Sequence, residues 1–127
     1  MRVTRLDHLV MTVADLEATV DFYTRVLGMT VRAFAGGRLA LRFGDQKINL
    51  HEAGHELAPR ARVPLPGSAD LCFVVEQPLG EWLEHLDGLA VPVIEGPVPR
   101  AGALGPMTSI YLRDPDGNLV EIATYGD

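Results

Sequence analysis

The chain has 127 residues, 47% of them apolar, and a formal net charge of −6 at pH 7. This length suits one domain with a hydrophobic core, and the apolar content argues against disorder. The negative charge disfavours nucleic acid as a partner, because phosphate binding needs a basic surface. No apolar run is long enough to span a membrane. We expect a cytoplasmic protein, since Asp7 interrupts any signal-peptide pattern and Cys72 is the only cysteine.

The first half of the chain has a βαβββ pattern. A strand is predicted over Leu6–Val13, and Asp15 is suited to the N-cap of the helix that follows. This helix carries apolar residues at helical spacing and ends at Gly28. Turn signals of Gly and Asp then separate three further predicted strands, Met29–Phe34, Arg38–Phe43 and Lys47–Glu52.

The same order of elements returns after a polar, proline-containing connector. A helix is predicted after Pro78, and Glu95–Pro106 is predicted to be a long loop beside a site. The DPDG segment, residues 114–117, is a strong and mainly structural turn signal. The predicted strands are Ala69–Glu76, Val91–Ile94, Thr108–Arg113 and Asn118–Ala123.

The repeated order predicts an internal duplication within a single domain, residues 1–127. Module one covers about residues 1–56, the connector about 57–67, and module two about 68–127. The fold class is therefore α+β, with two tandem βαβββ modules. If each module curls into a half-barrel and the two modules pair, they form a cup.

Strand alternation predicts which side chains face away from the helices. His8 and Asp70 take that position on the first strand of each module, and Glu121 takes it on the last strand. The alignment of the two last strands is open by two residues, so either His51 or Asn49 matches Glu121. We favour His51, because imidazole is the better ligand for a transition metal.

Two imidazoles and carboxylates that meet in one cleft suit a divalent metal such as Fe, Mn, Ni or Zn. The candidate metal ligands are thus His8, His51, Asp70 and Glu121. Each has an alternative interpretation. His8 could be a buried histidine that completes a hydrogen bond. His51 could simply line the rim, Asp70 could pair with an arginine or cap a turn, and Glu121 could lie on the exposed face of an edge strand.

Several segments resemble the vicinal oxygen chelate superfamily, which includes glyoxalase I, the bleomycin-resistance proteins and the extradiol dioxygenases. The resemblance covers nearly the whole chain, and it is closest to glyoxalase domain-containing protein 5 and its bacterial virulence-protein relatives. The segments that carry it are LDHLVMTVADLEATVDFYTRVLGM, FGDQKINLHEAG, LPGSADLCFVV and EGPVPRAGALGPMTSIYLRDPDGNLVEI.

This resemblance implies a divalent metal inside the cup, with His8 and Glu121 at usual ligand positions. Asp70 departs from the pattern, since many members carry histidine or glutamate there. Asn49 matches the fourth-strand ligand position at least as well as His51. The resemblance also implies a homodimer, because dimerisation is common in the superfamily and some members build each site from two chains.

The implied function is a metal-dependent enzyme, glyoxalase-like (a lyase or isomerase) or extradiol-dioxygenase-like. Its small substrate would chelate the metal through adjacent oxygens, and Glu121 would act as the catalytic base, as in glyoxalase I. The alternative is a metal-free protein of the bleomycin-resistance type that binds a drug or metabolite. Arg100, Asn49 and Tyr111 are candidate substrate-binding residues, although Arg100 could be a solvated loop cation and Tyr111 could pack in the core.

Overall fold

A computed structural model describes residues 1–126, which form two compact units, Met1–Gly67 and the chain from Ser68 onward. Each unit contains one α-helix and one four-stranded mixed sheet, and the first also has a short 3-10 helix at Ala35–Gly37, so the fold is α+β. The first unit contains, in chain order, β1 (His8–Val13), α1 (Leu16–Arg25), β2 (Thr30–Phe34), β3 (Arg38–Phe43) and β4 (Gln46–Glu52). The second contains β5 (Asp70–Val74), α2 (Leu79–Gly88), β6 (Glu95–Gly102), β7 (Gly105–Arg113) and β8 (Leu119–Thr124).

The two sheets have the same topology. The strand order is β1-β4-β3-β2 in the first unit and β5-β8-β7-β6 in the second, with the first and last strands of each unit paired in parallel. The predicted βαβββ pattern is therefore confirmed in both halves. Between β4 and β5, the described chain has no helix or strand.

Helix α1 forms where its local signals predicted it. Asp15 is the N-cap, and its Oδ1 accepts a hydrogen bond of 3.1 Å from the amide of Ala18. Gly28 follows the helix with a φ of 69°, a conformation that glycine adopts without a steric penalty. The helix contacts β2, β3 and β4, so that Phe22 and Tyr23 are buried.

The core of each unit lies between its helix and one face of its sheet. In the first sheet that face carries buried side chains such as Met11, Leu41 and Ile48, and in the second Val120 and Ile122. Each sheet therefore has a second face, turned away from its own helix, where polar residues are placed. We call these the polar face of the first sheet and the polar face of the second sheet.

The strand predicted at Val91–Ile94 is wrong, because the edge strand β6 lies at Glu95–Gly102 instead. This segment contains Pro97 and Pro99, which remove two backbone donors, and it pairs only with β7. An edge strand tolerates proline because one side of its backbone needs no ladder partner. The segment predicted as a long loop is thus mostly a hairpin.

No helix in residues 1–126 is both long and apolar enough to cross a membrane.

Candidate functional site

His8 lies at the start of β1, on the polar face of the first sheet, with its side chain 42% exposed. Its Nδ1 is 2.7 Å from Oδ1 of Asp7. The hydrogen bond from His8 is the main cause that lowers the pKa of Asp7, so this carboxylate is ionised at neutral pH. An ionised carboxylate can only accept, so Nδ1 donates to it, and Nε2 is the ring nitrogen left to bind a metal. A carboxylate that orients a histidine in this way is a common feature of metal ligands.

Asn49 and His51 lie on the same polar face, two residues apart on β4, and both are more than nine-tenths buried. Asn49 Oδ1 and His51 Nε2 have no hydrogen-bond partner. A buried polar atom left unpaired costs stability, and in native proteins it usually points to a functional role or an absent ligand. The face therefore offers two buried polar atoms that a bound molecule could satisfy.

The pairing register decides which residue of β4 corresponds to Glu121. His8 lies opposite Lys47, so Asn49 is two residues further along the strand. In the second sheet Asp70 lies opposite Leu119, and Glu121 is likewise two residues further along. Asn49 is therefore the counterpart of Glu121, which decides the alignment that the sequence left open, whereas His51 as a metal ligand stays a prediction. His51 lies four residues beyond Lys47, roughly 13 Å along the strand.

Glu121 is fixed on the polar face of the second sheet by neighbouring strands. Its Oε2 accepts a hydrogen bond of 2.6 Å from Oγ of Ser109, a fully buried residue on β7. Cys72 lies directly opposite Glu121 on β5, and its thiol also hydrogen-bonds to this carboxylate. Asp70 is two residues before Cys72, so it shares the same face. The structure thus brings Asp70 and Glu121 to one face of one sheet.

Cys72 is exposed, although its sequence context favours a small core residue. Partial burial, followed by the negative charge and the hydrogen bond of Glu121, raises the pKa of the Cys72 thiol to about 11. A thiol with this pKa is a poor nucleophile at neutral pH, because the thiolate is the reactive form. The structure therefore does not present Cys72 as an activated nucleophile.

In metal-free protein, Glu121→Gln is expected to lower the pKa of Cys72 and to speed its alkylation. The substitution removes the carboxylate charge next to the thiol, so more thiolate is present at pH 8. The measurement is the rate of reaction with iodoacetamide between pH 7 and pH 10. Glu76→Gln, at an exposed site after β5, is the control and should react like the unmodified chain. Equal rates in all three proteins would contradict the contact between Glu121 and Cys72.

Arg100 and Tyr111 come together on the polar face of the second sheet, but they bond to each other. Arg100 Nε donates to the Tyr111 hydroxyl at 2.8 Å, and Arg100 Nη2 lies 2.8 Å from Oε2 of Glu95. The guanidinium also lies over the Tyr111 ring, 5.3 Å from its centroid. Arg100 is therefore part of β6 and engaged within the sheet, whereas the sequence suggested a loop cation.

The candidate residues thus fall into two groups, one on each polar face. The first sheet carries His8, Asn49 and His51, and the second carries Asp70, Tyr111, Arg100 and Glu121. Within residues 1–126, no three histidine, cysteine, aspartate or glutamate side chains are arranged to hold a metal ion. Asp7 and Ser109 were missed from the sequence. The adjacent Asp7–His8 pair was visible there, and Ser109 required the β7–β8 register.

Two βαβββ units with matching strand order, and with polar residues on the sheet faces opposite their helices, define the architecture of this protein class. The chain belongs to the Glyoxalase/Bleomycin resistance protein/Dioxygenase superfamily, whose family model matches residues 5–122. This superfamily includes metal-dependent glyoxalases, dioxygenases and fosfomycin-resistance enzymes.

Three similar proteins illustrate how close the relatives are. Glyoxalase domain-containing protein RDO1 of Mycosarcoma maydis is 54% identical over 127 residues, which is all of this chain and 72% of that protein. Virulence protein STM3117 of Salmonella typhimurium is 49% identical over 125 residues, or 98% of this chain and 87% of that protein. A structure from the mobile metagenome of V. Pseudocholerae has a TM-score of 0.98 at 52% identity, covering 100% of this chain and 98% of that chain.

More distant relatives have names that specify reactions. Biphenyl-2,3-diol 1,2-dioxygenase 2 of Rhodococcus globerulus is 32% identical over 91% of this chain and 60% of that protein. Metallothiol transferase FosB of Staphylococcus epidermidis is 24% identical over 98% of this chain and 84% of that protein. The family therefore contains several different reactions on one fold, and the reaction of a member depends on its own site.

Proposed function

We propose that the protein is a metal-dependent enzyme of the glyoxalase/dioxygenase type, acting on a small substrate that chelates the metal through adjacent oxygens. The observation that carries this proposal is the Asp7–His8 pair. Asp7 holds Nδ1 of the imidazole, and Nε2 is left as a ligand atom on the polar face. Membership of a superfamily that includes metal-dependent enzymes supports the same conclusion.

Imidazole and carboxylate are the types of donor that a divalent cation such as Fe, Mn, Ni or Zn takes. His8 Nε2 and the Glu121 carboxylate would hold it, with Asp70 as a further carboxylate ligand. Of the two candidates on β4, the register supports Asn49 more than His51. When bound, the cation would act as a Lewis acid toward the adjacent oxygens of the substrate.

Glu121 is the residue proposed to move a proton. Ser109 and Cys72 donate hydrogen bonds to its carboxylate and fix its orientation. A carboxylate held in this way can accept a proton from a carbon next to a substrate carbonyl without first reorienting. Asn49 and His51 would supply polar contacts to the bound substrate from the first sheet, because their unpaired atoms are already buried there.

Asp7→Asn is expected to weaken divalent metal binding by about 10–100-fold, the usual effect of losing a carboxylate that orients a histidine ligand. The free energy of unfolding should change by less than about 0.5 kcal/mol, since Asp7 is exposed. The measurement is competition for Zn²⁺ against a chelator dye. Asp45→Asn, at another exposed aspartate, is the matched control. Affinity in Asp7→Asn equal to that of the control would show that Asp7 does not support a ligand.

The enzyme proposal is tested by activity after loading with Fe²⁺, Mn²⁺, Ni²⁺ or Zn²⁺ in turn. A hemithioacetal of a 2-oxoaldehyde tests isomerisation, and a catechol tests extradiol cleavage. We expect turnover with one class, lost in Glu121→Gln and retained in Glu81→Gln, an exposed glutamate of α2. Binding of an aromatic compound such as the catechol by protein without metal, and without turnover, would favour the bleomycin-resistance alternative.

The cytoplasmic location and the homodimer also stay predictions.

A further inference from the structure

The polar face of the first sheet carries an unusual charge. Four of its side chains are cations and none is a carboxylate, although the chain has 17 acidic residues against 11 basic ones. The members of this face are His8, Val10, Thr12, Thr30, Arg32, Phe34, Arg38, Ala40, Arg42, Lys47, Asn49 and His51. Arg32, Arg38, Arg42 and Lys47 form no ion pair within residues 1–126, whereas Arg5, Arg25, Arg60 and Arg100 do.

The register pairs two cationic residues on neighbouring strands. Arg42 on β3 lies directly opposite Lys47 on β4 and directly opposite Thr30 on β2. Like charges directly across two strands destabilise a sheet. Lys47 helps to lower the pKa of Asp7, but His8 already bonds to that carboxylate. The pair of cations is therefore not neutralised by a carboxylate in contact with it.

A cleft of about 420 Å³ opens at this cationic region. It is lined by Thr30, Arg32 and Arg42, together with the chain at Gly28 and at Phe43–Gly44. Within residues 1–126, neither the Arg32 nor the Arg42 side chain makes a hydrogen bond or ion pair. Two guanidinium groups and a hydroxyl therefore line one cleft with their hydrogen-bond donors available.

The ring of Phe34 contacts the remaining two cations of this face, Arg38 and Lys47. Lys47 Nζ lies 4.2 Å and Arg38 Cζ 4.7 Å from the centroid of the Phe34 ring. The ring attracts both cations, but it does not cancel their charge. Arg38 Nε is buried without a hydrogen-bond partner. The packing against Phe34 therefore holds these two cations on the face without neutralising them.

We propose that the cleft formed by Thr30, Arg32 and Arg42 binds an oxyanion, either a carboxylate or a phosphoryl or phosphonyl group. Arginine forks match the paired oxygens of such groups, and a charge-assisted bond would remove the repulsion between Arg42 and Lys47. Binding one anion would thus neutralise the cations that the sheet places together.

This inference also limits the substrate, and in that respect it rests on the proposed function. Arg42 lies on the same rung of the sheet as His8, two strands away across β4, which is about 10 Å between backbones. A substrate that chelates a metal at His8 and also reaches the cleft would carry its anionic group at the opposite end of the molecule. The substrate would therefore be an anion long enough to span the roughly 10 Å between the His8 and Arg42 backbones.

The test is calorimetric titration of metal-free protein, kept in EDTA at low ionic strength, with inorganic phosphate and separately with malonate. The unmodified chain is expected to bind one of them, which assigns the site to a phosphoryl or a carboxylate group. Arg42→Gln and Arg32→Gln should each weaken that binding by roughly tenfold or more, because each removes a charge-assisted contact. Arg25→Gln, an exposed arginine of α1 paired with Asp21, is the matched control and should bind within twofold of the unmodified chain, about the scatter of such a measurement.

Stability gives a second readout that does not depend on metal. Without anion, Arg42→Gln should melt at a higher temperature than the unmodified chain, because the like-charge pair is gone. With phosphate or malonate, the melting temperature of the unmodified chain should rise and that of Arg42→Gln should not. Equal binding by all variants, or the same response to potassium chloride at matched ionic strength, would overturn the inference. Either result would leave the metal content, measured separately, as the test of the proposed function.

Discussion

Replacing His8 with alanine is expected to abolish stoichiometric binding of a divalent metal. The imidazole supplies a ligand atom that the carboxylate of Asp7 already orients, and losing such an orienting group alone costs about 10–100-fold. Loss of the ligand itself should therefore weaken binding by more than about 100-fold. The measurement is the metal content per chain after dialysis against a micromolar concentration of Mn²⁺ or Zn²⁺.

The matched control for this experiment is His55→Ala. His55 is 77% exposed and lies after β4, where Glu52 is its nearest charged partner. It should retain the metal content of the unmodified chain. Both variants should unfold at nearly the same temperature as the unmodified chain, since neither side chain is buried. Equal metal content in His8→Ala and His55→Ala would exclude His8 as a ligand.

The largest effect on stability is expected from Asn118→Ala. Asn118 is 1% exposed and joins the DPDG turn to the start of β5. Its Oδ1 accepts a hydrogen bond of 2.8 Å from the amide of Ala69, and its Nδ2 donates to Oδ2 of Asp114 at 2.8 Å. Alanine would leave the part-buried amide of Ala69 and a buried carboxylate oxygen of Asp114 without these partners. We expect a loss of about 2–4 kcal/mol in the free energy of unfolding.

Urea unfolding measures this loss as a shift of the midpoint at a constant slope. Glu84→Ala, on the exposed side of α2, is the control and should change the free energy of unfolding by less than about 0.5 kcal/mol. A change in Asn118→Ala as small as that of the control would mean that the two side-chain hydrogen bonds contribute little. The DPDG turn would then be stabilised mainly by its backbone and by the hydrogen bonds that Asp114 accepts from the amides of Asp116 and Asn118.

Most of the fold could be predicted because its signals are local. Helix α1 begins at a residue that caps it, and the alternation along β4 places Ile48 and Leu50 toward the helix and Asn49 toward the polar face. The DPDG turn was also predicted, and Asp114 accepts hydrogen bonds from the amides of Asp116 and Asn118 as such a turn requires. These elements depend on neighbours within a few residues.

Strand β6 could not be predicted because its signals are not local. The segment is rich in glycine and proline, which is the composition of a loop. Its pairing is also irregular, because Gly96 has a φ of 105° and the register shifts between Glu95 and Val98. Pairing with β7 overrides this composition, and only a partner strand reveals that pairing. The same contact decides the role of Arg100, which bonds to Tyr111 across the hairpin.

The candidate site also depends on one local signal, the alternation along each strand, and on one non-local feature, the pairing register between strands. Alternation along a strand predicted the faces of His8, Asp70 and Glu121. It could not choose between Asn49 and His51, because the two residues share a face and differ only in register. The cations of β3 were also visible as alternate residues, but their lack of acidic partners required coordinates.

The central claim is that His8 and Glu121 bind the same metal ion, and a crystal grown with Mn²⁺ tests it most directly. We expect an anomalous difference peak about 2.0–2.3 Å from His8 Nε2 and from an oxygen of Glu121, whether both come from one chain or from two copies. No peak at either residue, or a peak at only one of them with the other bonded elsewhere, would contradict the account.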